Sequence, residues 1–180
     1  MIESGRYTSG RIAVANLSAS IDSLECRRTA SATFEELLTL AQLLFLRGDL
    51  LGRIADHDRA ELVATEAVGS APDAGTRAFT RARLAARFHL FAEAERLLEE
   101  ALAAGYPRRE ITAEQASLLQ ATGHYEGALF LRQGLAKHQP GIDTSGALAT
   151  LLAEMNQWDA AEARYIAALD ADSGVSPLPA

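Results

Sequence analysis

Apolar side chains in this chain follow two periods, a short one and a long one. Val14, Leu17, Ile21 and Leu24 stand 3, 4 and 3 residues apart, which draws one stripe down a helix from about 11 to 28. The long period starts further on. His89-Leu-Phe91-Ala-Glu-Ala94, Gly123-His-Tyr125-Glu-Gly-Ala128 and Asn156-Gln-Trp158-Asp-Ala-Ala161 share one layout. Each has a turn-tolerant residue, an aromatic two later and an alanine three after that. The aromatics Phe91, Tyr125 and Trp158 are 34 and 33 residues apart, as are the alanines Ala94, Ala128 and Ala161. Small residues Ala82, Ala116 and Ala149 keep the same register, and Pro107 and Pro140 follow two of the units, with Ser173 in the place of a third proline. An earlier copy carries Ala41, Gly48, Ala60 and Pro72. There Ala41 and Ala82 are 41 residues apart, so about seven extra residues intervene, placed in Leu50–Asp58. A recurring period of this length marks a stack of similar supersecondary units.

Composition sharpens this into an all-α reading. Ala, Leu, Glu and Arg dominate, all strong helix formers, while aromatics make up 6%. With 48% apolar and 23% charged residues, an extended core can be buried under an ordinary polar surface. Seventeen basic against 24 acidic residues leave a net charge of −7, which opposes attraction to phosphate backbones and to anionic membranes. Neither nucleic acid nor a membrane is an expected partner. Cys26 is the one cysteine, which excludes an intrachain disulfide and a cysteine-based zinc site. It reads as a small buried residue. No apolar run approaches a membrane span, and the N-terminal segment lacks a signal-peptide core. The expected setting is the cytoplasm, and the Ala/Arg-rich usage points to a bacterium.

The repeated Phe/Tyr/Trp, Ala and Pro positions resemble the tetratricopeptide repeat family over about residues 33–172. The usual tryptophan-leucine start of the first helix is missing, His89 stands where the family prefers glycine, and Arg132 stands at a usual aromatic. The resemblance implies a right-handed α–α superhelix of about four helix pairs, with an extra N-terminal helix. Helices are expected near 33–47, 57–70, 74–87, 91–104, 108–122, 125–138, 142–155 and 158–171. In this reading the alanines let paired helices approach and the aromatics fill the gap between one pair and the next, so burial of Trp158 makes Trp158→Ala cost about 3–5 kcal/mol. Gly48 falls where a helix-ending glycine belongs. Residues 1–32 read as a disordered start plus a helix that caps the first pair or serves dimerisation or docking, and 173–180 as a disordered tail. No helix with a polar outer face is expected after the fourth pair, so the chain is either a piece of a longer protein or covers that face with another copy.

The resemblance also implies where a partner sits, because the first helices of the pairs line a concave groove. The expected groove residues are Leu38, Gln42 and Phe45, then Phe79, Arg83 and Arg87, then Ser117 and Gln120, then Thr150 and Glu154. Arg83 and Arg87, four apart on one helix face, suit an acidic residue or C-terminal carboxylate of an extended peptide, with Phe45 and Phe79 supplying apolar contact. Alternatively both arginines are solvated or paired with acids of the chain itself. The lysine and asparagine residues of the family's carboxylate clamp are not reproduced, so that specificity is not inherited.

No glycine-rich phosphate loop, serine elbow or paired-carboxylate motif is present, and His57, His89, His124 and His138 lack metal-ligand spacing. No catalytic residue, metal or cofactor is expected. The leading function is a non-catalytic protein-interaction module that binds a peptide or protein segment in its groove. The alternatives are a regulatory or docking arm of a larger enzyme, and a scaffold that self-associates as a homodimer or higher oligomer through uncapped ends.

Overall fold

The structure, a computed structural model, describes residues 10–172. The expected disordered start and tail lie almost wholly outside the described residues. Within them the chain is all helix: α1 Gly10–Ser31, α2 Phe34–Leu51, α3 Ile54–Ser70, α4 Ala74–Arg87, α5 Phe91–Ala103, α6 Arg108–Ala121, α7 Tyr125–His138, α8 Ile142–Glu154 and α9 Trp158–Asp172. Helices α2/α3, α4/α5, α6/α7 and α8/α9 form four pairs that stack in chain order, and α1 lies against α2.

The helix starts are written locally. Thr33 caps α2 in a capping box: its hydroxyl accepts from the Glu36 N–H at 3.2 Å, and the Glu36 carboxylate accepts from the Thr33 N–H at 3.0 Å. Asp73 caps α4 by accepting from the Thr76 N–H at 2.8 Å. Both satisfy N–H groups that a helix start leaves without partners.

The turns inside the pairs share one geometry. Gly52, His89, Gly123 and Asn156 take left-handed φ values of 64°, 59°, 79° and 60°. The next N–H in each turn donates back five residues: Arg53 to Gly48, Leu90 to Ala85, His124 to Leu119 and Gln157 to Leu152. That bond closes a Schellman-type helix end. His89 therefore adopts the glycine conformation despite its side chain. A non-glycine residue there carries roughly 1–2 kcal/mol of strain. His89→Gly is expected to raise stability by about 0.5–1 kcal/mol once the extra freedom of glycine in the unfolded chain is subtracted; thermal unfolding of the pair of proteins measures it.

The seven extra residues of the first pair form no loop. Ala41 lies 11 residues before the left-handed Gly52, whereas Ala82, Ala116 and Ala149 lie 7 before theirs. From the left-handed residue to the next repeated alanine is 8 residues in the first pair and 5 in the others. The insertion thus adds four residues to α2 and three to α3, about one turn each, and the hairpin lengthens without rotating its buried faces. Gly48 is consequently not a helix end. It is buried inside α2, and a Cβ there would sit 2.7 Å from the His57 ring, so its lack of a side chain lets α3 pass.

The repeated alanines carry the packing. Ala60, Ala82, Ala94, Ala116, Ala128 and Ala149 are fully buried, and Ala41 and Ala161 nearly so. Around them lie Leu40, Leu44 and Val63 in the first pair, Leu97, Leu98 and Ile111 across the second and third, and Leu148 and Leu151 in α8. The stripe on α1 joins the first cluster through Ile21 and Leu24. The aromatics do not all behave as expected. Phe91 is half-buried against the second cluster, but Tyr125 is 38% exposed and Trp158 63% exposed. Among the described residues no helix follows α9 to cover Trp158, and with that exposure the expected 3–5 kcal/mol loss for Trp158→Ala does not apply. Cys26 is also exposed rather than buried, because it sits two residues beyond Leu24 and faces away from the stripe.

Candidate functional site

Two helices of successive pairs, α2 and α4, stand side by side with an open cavity of about 160 Å³ between them. Helical spacing brings its lining to one face of each. Phe34, Leu38, Gln42 and Phe45 descend α2, and Thr76, Phe79, Arg83 and Arg87 descend α4. Six of the ten residues expected in the groove, Leu38, Gln42, Phe45, Phe79, Arg83 and Arg87, line this one cavity. Its floor is aromatic. Phe79 stacks on Tyr106 with ring centres 4.3 Å apart and planes 19° apart. Burial, with Glu110 nearby, raises the Tyr106 hydroxyl above its ordinary value.

The two arginines differ. Arg87 donates to both Asp49 oxygens at 2.8 and 2.9 Å and lies over the Phe45 ring with its guanidinium carbon 4.4 Å from the centre. Asp49 belongs to the extra turn of α2, so the lengthened first hairpin supplies the acid that holds a groove arginine on α4. Arg83 is looser. Its nearest acid is Glu114 at 3.8 Å, beyond hydrogen-bond distance, and its side chain is 48% exposed. Glu114 is itself sunk between helices, and burial holds its carboxyl above the ordinary carboxylate range although Arg83 and Arg132 both pull it down.

The remaining four expected groove residues lie outside this cavity. Gln120 accepts two bonds from Arg132 at 2.7 and 3.1 Å, and Ser117 accepts a third at 3.4 Å. Arg132, standing where an aromatic was expected, thus ties α7 to α6 through polar contacts, and burial lowers its guanidinium below its ordinary value. Thr150 shares a hydrogen bond with the Tyr165 hydroxyl at 2.9 Å. Glu154 is exposed at the end of α8. Among the lining residues that the expected groove left out are Phe34 and Tyr106. Phe34 stands one turn before Leu38 on the same stripe, so its spacing could have revealed it. Tyr106 comes from the turn after α5, and only the tertiary structure places it under Phe79.

A second concavity lies between α6 and α7. It measures about 560 Å³ and has Phe130, Leu131 and Leu135 on its floor and Arg108, Arg109 and Lys137 at its rim. It shares no residue with the α2–α4 cavity. Among the described residues, no three His, Cys, Asp or Glu side chains are grouped to hold a metal, and no helix is long and apolar enough to cross a membrane.

No family model matches the chain, and no curated protein matches it. Solved structures do. MamA 41-end from Desulfovibrio magneticus RS-1 superposes with a TM-score of 0.53 at 13% identity, covering 89% of this chain and 97% of that one. The MamA RS-1 ArsTM double mutant gives 0.51 at 14% identity with the same coverage. At this identity the likeness speaks for the fold alone. MamA is a tetratricopeptide-repeat protein, and the alternating pairs, the shared left-handed turns and the buried alanine register agree with it: the chain has a tetratricopeptide-like fold, an all-α solenoid of stacked helix pairs.

Proposed function

We propose that this chain is a non-catalytic protein-interaction module that takes an extended peptide segment in the α2–α4 groove. One observation carries the reading: an aromatic-lined opening between first helices of neighbouring pairs is bordered by an arginine whose charge is incompletely matched. Largely pre-formed apolar concavities with a few oriented polar groups are the usual ground for ligand recognition. Phe34, Phe45 and the Phe79–Tyr106 stack offer area for an apolar side chain, and Arg83 offers a fork to a carboxylate beside it. Arg87 is already paired, so its part is to fix the Phe45 face and set the local field.

The test is selection from a displayed random-peptide library against the whole chain, followed by titration of the enriched peptide. Enriched sequences are expected to join a bulky apolar residue to an acidic residue or a free C-terminus. Arg83→Glu is expected to weaken the selected peptide about tenfold or more, and the Arg83→Glu/Arg87→Glu pair to abolish it. Selected peptides that bind both variants as well as the parent would dispose of the reading.

A second reading, self-association, is favoured by α9, where Trp158, Tyr165 and Ile166 are exposed at 63%, 41% and 52%. It rests on the outward apolar face of that helix and on no groove residue. Light scattering over a wide concentration range separates it from the first, and a mass that stays monomeric throughout would rule it out.

A further inference from the structure

The α6–α7 hairpin carries a surface that stacking does not account for. Helix α7 buries fully only Ala128, and Phe130 on its outer side is 76% exposed. The positions equivalent to Phe130 in the neighbouring second helices are Arg96 and Ala163, so the repeat itself demands no aromatic there. Leu131 and Leu135 lie half-buried beside it. Gly134 leaves a gap in this floor, since a Cβ at that position would meet nothing within 4 Å. Apolar floors of this kind, rimmed by polar groups, mark interaction sites.

The rim is cationic although the protein carries a net charge of −7. Among the described residues no carboxylate lies within 4.0 Å of Arg108 or Lys137. Arg109 meets the half-buried Glu110 at 3.3 Å, the two side chains being 47% and 37% exposed. Arg108 and Arg109 also open α6, where the positive end of the helix dipole disfavours a cation; local stability alone would place acids there. The equivalent positions opening α4 are Ala74 and Gly75. Basic charge is thus gathered around an apolar cleft against both the net charge of the chain and the dipole of its own helix.

We propose that the α6–α7 cleft docks an amphipathic acidic segment of a partner protein. Its apolar side chains cover Phe130 and enter the gap at Gly134, and its flanking carboxylates meet Arg108 and Lys137. The cleft holds about 560 Å³, room for a row of side chains rather than one, which fits the anchors that a helix presents at spacings of three and four residues. An acidic partner is favoured over an anionic lipid surface because the overall negative charge repels the latter, whereas a short segment meets only the local field of the cleft.

The test is fluorescence anisotropy of a labelled synthetic helical peptide, leucine and phenylalanine on one face and glutamate on the other, titrated with the full chain. A twin peptide with lysine for every glutamate is the control. Saturable binding of the glutamate peptide is expected, weakening as salt is raised, with the lysine peptide at least about tenfold weaker. Phe130→Ser and the Arg108→Glu/Lys137→Glu pair are each expected to lose about tenfold or more. Circular dichroism confirms that these surface variants stay folded. Arg83→Glu is expected to leave this binding unchanged, which separates the cleft from the α2–α4 groove. Equal binding of the two peptides, or indifference to Phe130→Ser, overturns the proposal. So does co-sedimentation with phosphatidylserine vesicles in place of peptide binding, which would assign the cleft to a lipid surface. Concentration-dependent scattering abolished by Phe130→Ser, without peptide binding, overturns it in favour of a second copy.

Discussion

Asp56→Ala is expected to cost about 3–5 kcal/mol, because it strands a buried guanidinium. Asp56 opens α3 and Arg47 lies on α2. The guanidinium donates twice to the carboxylate, at 2.7 Å in each bond, and the two side chains are only 11% and 7% exposed. A third bond at 3.5 Å reaches Ser18 on α1, so one arginine gathers three helices. Arg47→Met together with Asp56→Leu is expected to restore most of the loss, since removing both charges removes the desolvation penalty along with the attraction. Urea unfolding of the parent, the single and the double variant measures all three. A single-variant loss under about 1 kcal/mol would show the pair to be solvated in solution.

The same pair sets a pH dependence. The hydrogen-bonded Arg47 holds the Asp56 carboxyl below the ordinary carboxylate range. Glu25 and Glu66 are lowered in the same way by Arg59 and Arg28. With a folded pKa below the unfolded one, the unfolded chain takes up protons first as pH falls. The stability these groups contribute is therefore complete above the ordinary carboxyl pKa of about 4 and is lost as pH drops through the lowered folded values. Glu114 runs the other way. Its raised carboxyl favours protonation in the folded chain, so it opposes folding at neutral pH and ceases to do so in acid. The acid-side slope of the unfolding free energy is expected to be shallower in the Arg47→Met/Asp56→Leu variant than in the parent.

Leu97→Ala is expected to cost about 2–5 kcal/mol, whereas Trp158→Ala costs about 0.5 kcal/mol, although the tryptophan is far larger. Leu97 is 0% exposed and sits in the cluster joining α4, α5 and α6, while Trp158 is 63% exposed. Size matters only for the part of a side chain that folding removes from water. Thermal or denaturant unfolding of the two variants makes the comparison. The reverse order would mean that α9 buries its tryptophan in solution, which assigns that face a covering that the described residues do not supply.

Much of the architecture was legible because its determinants are local or periodic. The alanine spacings marked where helices approach closely. Gly123 and Asn156 marked left-handed turns, and His89 proved to take the same conformation because the turn is set by the stacking of its pair, not by its own preference. Pro107 and Pro140 lie in the breaks between pairs. The resemblance also pointed to Leu38, Gln42 and Phe45 on α2 and to Phe79, Arg83 and Arg87 on α4, which line one opening. Spacing did not show that the extra residues of the first pair would lengthen two helices. Nor did it show that Gly48 would admit the His57 ring, or that Asp49 would thereby reach Arg87.

Periodicity and composition determined the class of this protein, an all-helical stack of like units, and the resemblance carried by the repeated residues implied four helix pairs. Tertiary structure decided what each repeated position does. Trp158 and Phe91 occupy one register position, yet among the described residues Phe91 is half-buried beneath a following helix and Trp158 is not. Arg83 and Arg87 carry one charge on one helix, yet only Arg87 meets an acid close enough to be held. Burial and pairing depend on what the neighbouring element brings, and a repeat specifies its own faces without specifying its neighbour's.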